Sequence, residues 1–321
     1  MCGFGGFWAV AGKTNDSDKT LKEIAKSIAH RGPDDSGEWH DAQSGIGLAH
    51  TRLSIVDLST AGHQPMHSAC NRYVIAFNGE IYNHVALRQQ LKEAQEGSQW
   101  RGHSDTETLL ACFAAWGIEK TLQATVGMFA LALWDKHDQV LTLARDRLGE
   151  KPLYWGWCNQ ALLFGSELKA LKAHPAFNAE VNRNALALLM RYNAIPSPYS
   201  IYRGIQKLPA GHMVQIRQGD GAGEAIPKAY WALNEVVASS LANPFIGSDN
   251  EAVAALEQRI CQSVSGQMLA DVPLGAFLSG GVDSSTVVAL MQQQSSKPVR
   301  TFAIGFNEPG YNEAQYAKEV A

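Results

Sequence analysis

The sequence predicts an α+β protein in two parts: layered sheets covered by helices over roughly the first two hundred residues, then the start of a doubly wound parallel α/β sheet. Two observations carry this. In the first part, short alternating apolar segments come in runs between helical stretches, beginning with a glycine-rich strand at residues 3–10. In the second, an apolar strand runs through a glycine turn straight into a helix, and another apolar strand follows it.

In chain order, residues 3–10 read as a buried strand that would mount the N-terminus rigidly on a sheet. Leu21, Ile24, Ala25 and Ile28 recur at helical spacing behind the cap candidates Ser17 and Asp18, giving a helix that ends near His30. Residues 30–34 (HRGPD) are a turn cluster. Residues 45–51, 53–57 and 73–77 alternate as sheet, and 83–93 and 106–116 are helical. Residues 129–135 and 140–145 form a hairpin across the polar residues 136–139. From residue 218 the texture changes to glycine and then sparse turns, a connector whose G-x-G pattern is too weak for a dinucleotide site. Val253, Leu256, Ile260, Val264 and Met268 mark a helix over 251–269, 272–278 is a strand, Val287, Val288, Leu290 and Met291 mark the next helix, and 299–306 is a parallel strand. The expected division is therefore 2–217, a connector 218–250, and 251–321. Two strands cannot bury both faces of such a sheet, so the second part is expected to be truncated.

Composition narrows the function. The chain has 321 residues, 45% of them hydrophobic, and a formal charge of -4 without a basic block, which argues against nucleic acid and anionic membrane partners and favours small molecules. No basic n-region precedes the first strand, and the apolar stretch 126–134 is too short for a bilayer, so a cytoplasmic location is expected. Cys2, Cys70, Cys112, Cys158 and Cys261 include no C-x-x-C pair, which supports neither a disulfide framework nor a protein-held metal.

The candidate chemistry begins at Cys2. Removal of Met1 would leave a thiol and a free α-amine on one residue, a nucleophile with its own base; the bland alternative is a cysteine on a frayed terminus. Arg52 can fork onto a carboxylate. Asn78-Gly79-Glu80, after an apolar strand, can supply an amide and a backbone N–H as an oxyanion hole, or be an ordinary Asn-Gly turn. Asp105 can cap the next helix or bind an ammonium group. Further on, Ser279-Gly280-Gly281-Val282-Asp283-Ser284-Ser285 lies at a strand-to-helix junction, where backbone N–H groups, hydroxyls and the helix dipole suit a phosphate. It lacks the lysine of a Walker loop.

The set MCGFGG, HRGPD (30–34), RLSIVD (52–57), NGEIYNH (78–84), SDTE (104–107) and ARDRLGEKPLY (144–154) resembles the glutaminase domain of class II glutamine amidotransferases, most of all that of the glutamine-hydrolysing asparagine synthetase family. The resemblance implies an N-terminal-nucleophile αββα sandwich. In it Cys2 would attack the side-chain amide of glutamine, Asn78 and Gly79 would hold the oxyanion, Arg52 would clamp the α-carboxylate and Asp105 the α-ammonium. Leu53, Ser54, Ile55, Val56 and Glu80 would line the same pocket. SGGVDSS resembles the pyrophosphate loop of ATP pyrophosphatases, which implies ATP at Ser279, Gly280, Gly281, Ser284 and Ser285, flanked by Leu278 and Ile304, with Mg²⁺ near Asp283. The whole resemblance implies glutamine, aspartate and ATP as substrates and asparagine as product, and it allows a homodimer. A sugar acid as acceptor, a glutaminase-only fragment and a non-catalytic stub are the alternatives; intact Cys2, Arg52, Asn78 and Asp105 argue against the stub. As it stands the chain is expected to hydrolyse glutamine, bind ATP poorly and make no asparagine.

Overall fold

The computed structural model describes residues 2–9, 16–95, 99–221, 223–308 and 312–321. The chain divides into two units, Met1–Val237 and Ala238–Ala321. In order, the first unit contains β1 (Gly3–Ala9), α1 (Ser17–Ser27), β2 (Asp35–Asp41), β3 (Ile46–Arg52), β4 (Met66–His67), β5 (Tyr73–Ile81), α2 (His84–Glu93), α3 (Asp105–Trp116), α4 (Ile118–Ala124), β6 (Gly127–Asp135), β7 (Val140–Arg145), β8 (Tyr154–Cys158), β9 (Ala161–Gly165), α5 (Leu168–Lys172), α6 (Arg183–Tyr192), β10 (Ile205–Lys207), β11 (His212–Arg217) and β12 (Lys228–Ala229). Two antiparallel sheets result, ordered β10-β8-β9-β1-β3-β2 and β12-β11-β7-β6-β5-β4.

Strand alternation builds the layers. On β1, Phe4 and Trp8 join the core between the sheets while Phe7 and Ala9 face outward onto α1 and α5. On β5, Val74 and Ala76 point inward, and Ile75 and Phe77 pack outward with Leu91, Leu110 and Phe113 of α2 and α3. Sheets so covered on both outer faces make an αββα sandwich. Its centre is aromatic, with Trp8 edge-on to Trp134 at 5.0 Å between ring centroids.

Several details differ from expectation. Residues 53–57 are a loop rather than sheet, because the Arg52 guanidinium turns back onto the carbonyls that follow it and Asp57 adopts a left-handed φ of 59°. The α1 N-cap is Asp16, which accepts from Lys19 N, in place of Ser17 or Asp18, and the helix ends at Ser27 before a 3₁₀ turn at Ala29–Arg31. β2 has no apolar alternation to announce it, being a mostly polar edge strand paired only with β3. The hairpin loop after β11 returns as β12, and Ala225 and Tyr230 are buried in the first unit's cores.

After α7 (Leu233–Ala242), the second unit holds α8 (Asp249–Gln267), β13 (Gly275–Phe277), α9 (Val282–Gln293), β14 (Arg300–Phe302) and α10 (Ala314–Val320). Ser248 and Glu251 close a capping box at the start of α8. β13 and β14 pair in parallel, with Gly275 opposite Arg300. Phe277 (79% exposed) and Ile304 (65%) leave much apolar surface uncovered in this unit. Among the described residues no helix is long and apolar enough to cross a membrane.

Candidate active site

Cys2 sits at the head of β1, a central strand hydrogen-bonded on both sides, to β3 and β9. Being in phase with Phe4, its side chain turns between the sheets. Leu53 N donates to Sγ at 3.3 Å, and Sγ lies 3.5 Å from the Leu53 carbonyl oxygen. Arg31 Nε donates to the Cys2 carbonyl at 2.9 Å and Arg31 NH1 meets Glu167 at 2.9 Å, so an ion pair braces the residue from outside the sheet. Burial pushes the thiol up from its ordinary value, with the Leu53 N–H pulling the other way. An unassisted thiol here is therefore a poor nucleophile and needs a base.

Arg52, buried at the end of β3, donates from NH1 to the Ser59 carbonyl and from NH2 to the carbonyls of Val56 and Asp57. These bonds fold residues 53–59 over the cleft, bringing Leu53, Ile55 and Val56 to its wall while Ser54 N is tied to Asp34. The guanidinium packs so closely on Gly62 that a Cβ there would lie 1.9 Å from its NH2.

The free edge of β5 supplies the rest. Along it every second residue turns its backbone away from β6. Ile75 pairs with Met66 of β4, Phe77 N donates to Gln64 Oε1 at 2.7 Å, and Ile81 N donates to Asp105 Oδ2 at 2.9 Å. Gly79, in the same phase, directs its N–H off this edge into the cleft. Asn78 is not in a turn: its backbone pairs with Ala130, and its side chain follows Val74 and Ala76 to the inner face. The Asn78 amide is 1% exposed, and neither its nitrogen nor its oxygen has a hydrogen-bond partner among the described residues. Such a group costs about 1–3 kcal/mol unless something binds it. A Cβ on Gly79 would sit 2.2 Å from the Met128 carbonyl oxygen, so only glycine fits.

Ser104, not Asp105, caps α3, accepting from Glu107 N at 3.2 Å. Asp105 is thereby left at the cleft wall, holding Ile81 N and Thr106 N. Burial raises its carboxyl to about 6 against those two bonds, with Glu80 adding to the rise. One cleft thus gathers Cys2, Arg52, Leu53, Ile55, Val56, Asn78, Gly79, Glu80 and Asp105; Ser54 stands just outside. Gln64, Thr106 and Lys151 also line it, and the motif reading had given them no role. Lys151 is 3% exposed at the end of a loop whose backbone is gathered on the buried carboxylate of Asp146, which accepts from Phe129, Leu148, Glu150 and Lys151 N. Burial lowers the Lys151 ammonium and raises the Glu80 carboxyl, and each opposes the other's shift, so the two are electrostatic partners across the cleft.

In the second unit, residues 279–285 form the turn into α9. Ser279 and Ser284 hydroxyls are 2.8 Å apart, Gly281 N donates to Ser279 Oγ, and the Ser285 hydroxyl is buried with no partner among the described residues. Gly280 has φ 81°, and a Cβ there would lie 2.5 Å from Tyr316 Cβ. Leu278 is buried, Ile304 exposed, and Asp283 exposed in the first turn of α9.

A thiol presented between two antiparallel sheets, with helices outside both, is the arrangement of the N-terminal-nucleophile fold. The glutamine phosphoribosylpyrophosphate amidotransferase of B. subtilis, solved with ADP and GMP, shares it at a TM-score of 0.51 and 15% identity over 97% of this chain and 68% of its own. The chain belongs to the glutamine amidotransferase domain family, matched over residues 1–231, and residues 255–321 match the asparagine synthase family. It is similar to the protein named asparagine synthetase [glutamine-hydrolyzing] 1 of Bacillus subtilis, 35% identical over 100% of this chain and 48% of that one. It is also similar to a protein of Gibberella zeae named amidase chry2, 31% identical over 100% of this chain and 49% of that one. The chain spans about half the length of these relatives.

Proposed function

We propose that this protein is a glutamine-dependent amidotransferase in which Cys2, once Met1 is removed, attacks the side-chain amide carbon of glutamine. The α-amine of Cys2 takes the thiol proton and returns it to the leaving nitrogen; ammonia departs, and water then cleaves the thioester to glutamate. Asn78 Nδ2 and Gly79 N–H hold the oxyanion, Arg52 the α-carboxylate, and Asp105 the α-ammonium, with Leu53, Ser54, Ile55, Val56 and Glu80 shaping the pocket. The buried, unpartnered Asn78 amide in the cleft of Cys2 carries this reading, because a fixed donor that nothing in the protein uses is what a developing oxyanion needs. Glutamate release from glutamine, lost in Cys2→Ala, tests it.

The second unit is read as the beginning of a site where ATP activates a carboxylate as its adenylate. Ser279, Gly280, Gly281, Ser284 and Ser285 would take the phosphates, Leu278 and Ile304 would flank the nucleotide, and Asp283 offers the single carboxylate that a magnesium ion carried on phosphate oxygens requires. Aspartate is the acceptor favoured by the relatives named asparagine synthetase, with asparagine formed as ammonia displaces AMP; the similarity to a protein named an amidase favours a second reading, another carboxylate at the same site. Pyrophosphate release stimulated by aspartate, measured with the sequence extended to the relatives' length, separates them. All substrates are small molecules, which suits an enzyme of the cytoplasm.

A further inference from the structure

The backbone of Phe77, the residue just before Asn78, is held by two side chains instead of a neighbouring strand. β4 pairs only with Val74 and Ile75, so the outward-facing polar groups of Phe77 lie beyond its end. Gln64 Oε1 accepts from Phe77 N at 2.7 Å, and the Phe77 carbonyl accepts from His50 Nε2 at 2.9 Å. A carbonyl can only accept, so this bond assigns the ring proton to Nε2. Burial lowers the His50 pKa to about 4, keeping the ring neutral and its tautomer fixed. Nδ1 is buried with no partner among the described residues, so the ring is held in the core at some cost in stability.

His50 comes from the opposite sheet. It lies on β3 directly across from Phe4 of β1, two residues after the nucleophile. Its in-phase neighbours Ile46 and Leu48, with Val74 and Ala76 of β5, make the apolar contact between the sheets, and such contact is non-directional. The hydrogen bond is directional, and it ends one residue before the oxyanion donors.

We propose, on the reading that Asn78 and Gly79 hold the oxyanion, that His50 is a positioning residue that fixes the strand carrying these donors relative to the strand carrying Cys2. Oxyanion donors act only near 2.7–3.1 Å from the oxygen, and a displacement of about 1 Å costs on the order of 10² in rate.

Steady-state glutamine hydrolysis by His50→Met and His50→Gln tests this. Met has the length of Gln without the donor, whereas the Gln amide nitrogen reaches the place of Nε2. His50→Met should lose about 10- to 100-fold in kcat with KM changed less than about threefold, and His50→Gln should keep kcat within about threefold. In an Asn78→Ala background the His50→Met loss should be smaller than in the wild type, since of the two donors being positioned only the Gly79 N–H remains. Folded His50→Met with normal kcat, or a fall confined to KM, overturns the proposal. If His50→Met does not fold, a loss above about tenfold in folded His50→Gln overturns it instead. Normal kcat in Asn78→Ala alone would refute the oxyanion reading itself, a result distinct from failure of the His50 variants.

Discussion

Leu53 grips the Cys2 sulfur with both polar groups of its backbone: its N–H donates to Sγ at 3.3 Å, and its carbonyl oxygen lies 3.5 Å from the same sulfur. The thiol thus faces a donor that favours thiolate and an acceptor that favours thiol, while burial raises its pKa. In the proposed mechanism the base that drives ionisation is the α-amine that Cys2 gains when Met1 is removed. The rest of the cleft is ready without it.

If Asn78 is the oxyanion donor, Asn78→Ala should lower kcat for glutamine hydrolysis by about 10² to 10³ with little change in KM, because such a donor acts on charge present only in the transition state. Steady-state kinetics check this. An effect confined to KM would make Asn78 a substrate-binding residue.

Arg52 ties down a loop and is proposed to clamp the α-carboxylate of glutamine, and its variants should separate the two. The guanidinium holds three loop carbonyls as well as facing the cleft. Arg52→Lys keeps the charge but loses the fork, so KM for glutamine should rise about tenfold or more while kcat at saturation changes less. Thermal melting should also fall as residues 53–59 loosen. Unchanged KM in a folded Arg52→Lys protein would remove Arg52 from substrate binding.

If Asp105 holds the α-ammonium of glutamine, its titration should show at acid pH. With its carboxyl raised to about 6, it loses charge as pH falls through 6, and a neutral acid cannot hold an ammonium group. The pH profile of kcat/KM, which reports the free enzyme, should therefore steepen below pH 6 by a further factor of about ten per unit, added to the fall that protonation of the Cys2 α-amine produces at higher pH. Asp105→Asn should have low kcat/KM at every pH and lack that limb. A wild-type profile that does not steepen below pH 6 would contradict the assignment.

Asp146→Ala should be among the most damaging substitutions to stability. It strands the buried backbone donors of Phe129 and Lys151 and the half-buried ones of Leu148 and Glu150, and at about 1–3 kcal/mol for each buried donor left unpaired a loss of at least about 2 kcal/mol is expected in denaturant unfolding. A loss under about 1 kcal/mol would mean that water replaces the carboxylate.

Much of this was legible in the sequence, and the exceptions share a cause. A glycine-rich apolar run located β1, alternation located β3 and β5, and a hairpin pattern located β6 and β7; the polar motifs among them place Cys2, Arg52, Asn78, Gly79 and Asp105 at one cleft. Residues 53–57 also alternate, yet they form a loop because a single guanidinium captures their carbonyls, a long-range bond that no local pattern encodes. β2 was hidden because an edge strand has no need of apolar alternation. Gln64 and His50 carried no signal of their own: each bonds the Phe77 backbone that the short β4 leaves unpaired, which becomes visible only once strand register is known.

The central claim is that the α-amine of Cys2 is the base for its own thiol, and glutamate release from a protein with an uncleaved N-terminal extension tests it most directly. The extension converts the amine to an amide and leaves Arg52, Asn78, Gly79 and Asp105 unchanged. The account predicts that the extended protein, verified by intact mass, releases no glutamate above background, and that proteolytic exposure of Cys2 restores full activity. Glutamate release at the normal rate from the extended protein would contradict it.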